Sequence, residues 1–158
     1  MELFFAQNHS AMTHLPIAAA ILLAAVAMSS LFTSKREIVL ACALLTLIAF
    51  ATSIPTIITG VAAAKGRMNE EGKPYLASGV LVPDTSSNIR VFRHETLGVI
   101  GFGLSVILAI LGISGLRGRW PNKYLLCVLA LALALCWGIG GHLGGKELWG
   151  PDTFPGLK

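Results

Sequence analysis

The chain has 158 residues, of which 54% are hydrophobic and only 13% are charged, and its mean hydropathy is +0.73. Soluble domains carry about a quarter charged residues, so this composition excludes a conventional soluble enzyme and a disordered protein. It also excludes a nucleic-acid-binding protein, although the net charge is +4. The three cysteines (Cys42, Cys127 and Cys136) lie inside apolar runs without CxxC spacing, so neither a disulfide framework nor a thiolate metal site is predicted.

Four apolar runs are long enough to cross a bilayer as helices, which takes about 20 residues each. In chain order they are 15–32, 38–64, 96–116 and 124–145. Pro16 is expected at the start of the first helix, where a missing N–H costs nothing. Since backbone polar groups in lipid must be satisfied internally, the sequence predicts an all-α fold, an integral membrane four-helix bundle that forms a single domain over the whole chain.

The segments between the runs predict the orientation. The two short loops, 33–37 and 117–123, carry five basic residues and one acidic residue. The N-terminus, the loop 65–95 and the tail 146–158 together carry seven of each. Basic residues in short loops mark the cytoplasmic side. Both termini are therefore predicted outside the cytoplasm, and the first run, which no basic segment precedes, is predicted to be a retained helix and not a signal peptide.

All four histidines fall at the predicted outer face of this bundle. His9 and His14 precede the first run, His94 precedes the third run, and His142 lies near the end of the fourth. Ionisable residues at membrane depth are candidates for function, and imidazole is the commonest metal ligand. The sequence thus predicts a cofactor or metal site where three helices bring histidines to one face.

A b-type haem is the first hypothesis for this site. If successive helices are neighbours, the first and third stand diagonally, so that His14 and His94 could serve as its two axial ligands. His142 is the alternate ligand, and Arg90 and Arg93 are placed to pair with the propionates. Glycines of the third and fourth helices would give a porphyrin clearance: Gly98, Gly101, Gly138, Gly140, Gly141, Gly144 and Gly145. The predicted protein is a small redox subunit with one haem b per chain, which passes electrons within a larger membrane complex, with a quinone as a further candidate partner.

Two other interpretations stay open. Three imidazoles from the set His9, His14, His94 and His142 would suffice for a copper or zinc site. Alternatively, the protein is a non-catalytic accessory subunit of a membrane assembly, in which the histidines hydrogen-bond loop carbonyls while the loop 65–93 and the tail dock on partners. No catalytic residue is predicted, because the sequence has no HExxH motif, no nucleophile–base pair and no phosphate-binding glycine loop.

Short motifs follow one another in a particular order along the chain. His9 and the segment HLPIA at 14–18 come first, and Pro55 with Thr-Gly at 59–60 lies near the end of the second run. Arg-His at 93–94 precedes the third run, and HLGG at 142–145 closes the fourth. In order and spacing they resemble the bacterial membrane proteins of domain-of-unknown-function family 2231. The resemblance implies a four-helix protein of the bacterial inner membrane, often encoded near redox proteins. Many members carry a further His-Gly after the last motif, and this chain lacks it, which speaks against a second haem.

Overall fold

Four α-helices make up the protein. The computed structural model describes the backbone of residues 2–33, 35–66 and 85–149 and the side chains of residues 12–33, 35–61 and 94–144. The helices are α1 (Glu2–Ser29), α2 (Arg36–Gly66), α3 (Thr85–Leu116) and α4 (Lys123–Trp149). All regular secondary structure in the described part is helical, which confirms the prediction of an all-α fold.

Each helix contains a segment long and apolar enough to span a membrane: Met12–Ser29, Arg36–Val61, His94–Leu116 and Lys123–Gly144. The boundaries differ from the predicted runs by no more than three residues. We call the end of the bundle that holds Met12, His94 and Gly144 the histidine end. The opposite end, with the two short loops, is the loop end.

At the histidine end the helices are longer than the apolar runs. α3 begins at Thr85, and α4 continues to Trp149, so parts of the predicted loop 65–95 and tail 146–158 are helical. Hydropathy marks only the stretch of a helix that lies in lipid, whereas a helix can continue with polar side chains once it leaves the hydrocarbon core. The remainder of that loop, 67–84, and of the tail, 150–158, lies outside the described residues.

The order of the helices around the bundle follows the order in the chain. α1 packs beside α2 and α4, and α3 also packs beside α2 and α4, whereas the backbones of the described parts of α1 and α3 do not come close to each other. Helices 1 and 3 are therefore diagonal, as the haem hypothesis assumed. Small residues line much of the interior, around a few larger side chains: Leu23, Leu108, Leu126, Leu133 and Trp137. Many Ile, Leu and Val side chains are exposed on all four helices, as expected for a bundle in contact with lipid.

Pro16 lies inside α1 and not at its start, which corrects the sequence prediction. A proline within a helix cannot donate to the carbonyl four residues earlier, here that of Met12. The neighbouring helix supplies the missing donor, because the hydroxyl of Thr56 on α2 lies 2.9 Å from Met12 O, in a hydrogen bond that it shares with Thr52 O of its own helix at 3.0 Å. The proline is therefore tolerated inside the span, since a Thr side chain from a packed helix satisfies the carbonyl.

We expect Thr56→Val, which keeps the shape of the side chain, to lower the free energy of unfolding by about 1 kcal/mol, since it leaves Met12 O without its donor. Thr52→Val is the matched control. The Thr52 hydroxyl donates to carbonyls of its own helix, Ile48 O at 2.8 Å and Ala49 O at 3.2 Å. Unfolding of both variants in mixed micelles, followed by circular dichroism, checks this. Equal losses would contradict a special role for Thr56.

Candidate functional site at the histidine end

Three of the four histidines lie at one level of the bundle. A Cβ added at Gly141 would lie 2.6 Å from Cδ1 of Ile17, so α1 and α4 touch there. His14 is one turn from Ile17 in α1, and His142 follows Gly141 in α4. His94 in α3 contacts the same stretch of α4 through a hydrogen bond to Gly140, the residue before Gly141. The predicted convergence of histidines at one end of the bundle is thus present in the fold.

His94 is the histidine whose surroundings are best defined. Its side chain is half-buried, and Nδ1 lies 2.7 Å from the carbonyl oxygen of Gly140. A Cβ at Gly144 would lie 2.7 Å from Cε1 and 3.2 Å from Nε2 of the ring, so the imidazole packs directly on the backbone of α4. Because a carbonyl oxygen only accepts, Nδ1 donates this hydrogen bond, and in the neutral ring Nε2 is the nitrogen with the lone pair.

The other predicted ligands are placed differently. His14 and His142 are both exposed at the surface of the bundle. The side chains of His9, Arg90 and Arg93 lie outside the described part of the structure, so their predicted roles as metal ligand and propionate partners stay predictions. Among the described side chains, no three His, Cys, Asp or Glu residues lie close enough together to hold a metal ion.

The glycines that were expected to give a porphyrin clearance are mostly covered by side chains of the chain itself. Leu97 packs at Gly140, Ile17 at Gly141 and His94 at Gly144, while the indole of Trp137 packs at Gly101. Nothing lies within 4 Å of a Cβ added at Gly98 or Gly138. The four covered glycines therefore serve close packing between helices, as small residues do in membrane bundles, and Gly145 lies outside the described side chains. In this arrangement one face of the His94 imidazole packs against α4, and Nδ1 is hydrogen-bonded there to Gly140 O.

The indole N–H of Trp137 is a buried polar group that the sequence did not indicate. Its side chain is only 4% exposed, and its Nε1 has no hydrogen-bond partner among the described residues. A Cβ at Gly101 would lie 3.3 Å from this nitrogen. Most buried donors in proteins are paired, so the indole N–H marks an unsatisfied point inside the bundle. No motif in the sequence marks it, because Trp137 and Gly101 meet only through the relative rotation of α3 and α4.

No protein-family model matches this chain, and no curated protein or solved structure matches it either. The resemblance to domain-of-unknown-function family 2231 therefore depends on the sequence motifs alone and stays a prediction. The fold is established by the four helices and their packing, and what the site does must be argued from its geometry.

Proposed function

We propose that the protein is a non-catalytic accessory subunit of a larger membrane assembly, and that His94 joins α3 to α4 at the histidine end. The observation that carries this proposal is the imidazole of His94, which packs on Gly144 and donates from Nδ1 to Gly140 O at 2.7 Å. This contact between α3 and α4 engages Nδ1 and one face of the His94 ring. Hydrogen bonds of this kind contribute about 1 kcal/mol to the stability of membrane bundles.

The proposed orientation places the histidine end outside the cytoplasm of a bacterial inner membrane. Its support is the charge of the loop end, where Lys35, Arg36, Arg117, Arg119 and Lys123 are accompanied by a single acidic residue in the two short loops. In this orientation both termini and the segment between α2 and α3 are on the outer side. They are the polar segments available there for docking to other subunits.

A second candidate function, electron transfer through one haem b, is favoured by the same hydrogen bond. Histidines that bind metals commonly donate their other ring N–H to a backbone carbonyl, which fixes the tautomer and orients the ring. His94 has this arrangement, and His14 and His142 lie at its level as candidates for the second axial ligand. Arg90 and Arg93 stay the candidate partners of the propionates, and copper or zinc is the alternative metal.

An absorption spectrum separates the two candidates. The purified protein in mild detergent is reduced with dithionite, and the oxidised spectrum is subtracted. The accessory role predicts no α band of bis-histidine b haem. A band at about one haem per chain would overturn it and establish the redox role.

Variants of His94 test its proposed structural role directly. We expect His94→Ala to lower the free energy of unfolding by about 1 kcal/mol, whereas His94→Asn, whose amide N–H can replace Nδ1, retains part of that stability. His142→Ala, at the same level but exposed, is the matched control and should change little. If His94→Ala and His142→Ala are equally stable, His94 does not join the helices, and the proposal loses its main support.

The assembly itself is tested in native membranes. After gentle solubilisation, the chain should migrate in a complex clearly larger than its own 16.7 kDa with bound detergent. Migration as a monomer at every detergent concentration tried would contradict the accessory role.

A further inference from the structure

A groove runs along α3 at the loop end, far from the histidines. It is open to the surroundings, has a volume of about 440 Å³, and is lined by Ile110, Ile113, Ser114, Arg117 and Arg119. Ile110 and Ile113 lie within the membrane-spanning segment, which ends at Leu116, and are 61% and 42% exposed. The two arginines lie just beyond that segment, so one groove combines an apolar wall in the membrane with a cationic rim at its surface.

The backbone fixes the position of this rim. α3 ends in a turn in which Gly118 has a φ of 78°, a left-handed conformation that favours glycine. The chain then returns to the helix, because Arg119 N donates to Ser114 O at 3.0 Å and Ser114 Oγ donates to Arg119 O at 2.9 Å. A Cβ at Gly115 would overlap the ring of Trp120, so the next residue is also packed against α3. The backbone of Arg119 is therefore held beside the last turn of α3.

Both guanidinium groups are available to an anion. Arg117 and Arg119 are exposed, and among the side chains that the structure describes neither forms an ion pair with an acidic residue. Lys123, the next cation along the chain, is engaged differently, because its Nζ donates to Leu31 O, in the turn just after α1, at 3.1 Å. Guanidinium groups bind phosphate oxygens through two parallel hydrogen bonds, so this pair suits a phosphate.

We propose that the groove binds an anionic phospholipid, with the headgroup phosphate at Arg117 and Arg119 and one acyl chain along Ile110 and Ile113. A free phosphate would meet the rim but leave the apolar wall uncovered. A phospholipid matches both parts. Its charged headgroup lies at the membrane surface, where the arginines are, and its acyl chains lie in the membrane beside the isoleucines. Basic pockets at the ends of membrane helices bind anionic headgroups for this reason.

The test uses native mass spectrometry of the full-length protein in detergent. It is titrated with phosphatidylglycerol and, separately, with phosphatidylcholine of the same acyl chains. We expect phosphatidylglycerol to bind about tenfold more tightly, and Arg117→Gln/Arg119→Gln to remove that preference. Lys35→Gln/Arg36→Gln removes the same charge from the other loop at the same end and should keep the preference. Circular dichroism confirms that both variants are folded.

Three results would overturn the proposal. Equal binding of the two lipids by the unmodified protein would show that the groove does not select a charged headgroup. An equal loss in both double variants would mean that only the overall charge of the loop end matters. Displacement of phosphatidylglycerol by a similar concentration of inorganic phosphate would show that the rim binds phosphate without the lipid's acyl chain.

Discussion

Gly112→Ala is expected to lower the free energy of unfolding by about 2–3 kcal/mol, although alanine is the better helix former by about 1 kcal/mol. Gly112 is buried where α3 crosses α2. A Cβ there would overlap Oγ1 of Thr46 and lie 3.1 Å from the carbonyl oxygen of Ala43. The carbonyl belongs to the backbone of α2 and cannot rotate away, so the two helices would have to separate. Unfolding in mixed micelles, followed by circular dichroism, measures the loss.

Gly103→Ala is the control for this prediction. Gly103 lies on the same helix, but nothing is within 4 Å of an added Cβ, so this variant should be as stable as the parent or more stable. Thr46→Ala removes the nearest obstacle and should restore part of the stability of Gly112→Ala, but not all of it, because Ala43 O stays in place. If Gly103→Ala and Gly112→Ala have the same stability, the helices do not approach as closely as the structure shows.

The close approach at Gly112 could not be predicted from the sequence, for a physical reason. The membrane-spanning helices are apolar all round, as the exposed Ile107 and Ile110 beside the buried Leu108 on α3 illustrate. In a soluble protein the apolar face of a helix indicates which side faces the core. Here hydropathy fixes the positions of the spans along the chain and leaves the rotation of each helix undetermined.

The same limit separates what was predicted at the histidine end from what was not. That His14, His94 and His142 gather at one end follows from the number and length of the spans, so the sequence predicted it. The direction of each imidazole depends on helix rotation, and for that reason the hydrogen bond from His94 to Gly140 was not anticipated. The glycines of α4 indicated that something approaches closely, but their spacing could not distinguish a cofactor from side chains of α1 and α3.

Pro16 shows a third kind of limit. Its position near the beginning of an apolar run suggested the first turn of a helix, where proline is common. α1 in fact begins at Glu2, and the proline is accepted within it because Thr56 reaches Met12 O from another helix. A contact between residues 44 positions apart leaves no trace in local sequence patterns.

Gly144→Ala is the second substitution for which a large effect is expected, a loss of about 2 kcal/mol in the free energy of unfolding. The added Cβ would lie 2.7 Å from Cε1 and 3.0 Å from Nδ1 of His94. The ring cannot move away while Nδ1 keeps its 2.7 Å hydrogen bond to Gly140 O, so the variant loses either the packing or the hydrogen bond. Gly138→Ala, on the same helix with open space around it, should be neutral.

Two further variants show whether the ring of His94 is the cause of this loss. Gly141→Ala should cost less than Gly144→Ala, because the atom it meets is the flexible end of Ile17, which can rotate. In the double variant His94→Ala/Gly144→Ala the obstacle is absent, so the double variant should be no less stable than His94→Ala alone. Additive losses would mean that Gly144 is required for some other contact. Non-additive losses would show that Gly144 is needed to accommodate the imidazole, and that His94 makes the contact that joins α3 to α4 there.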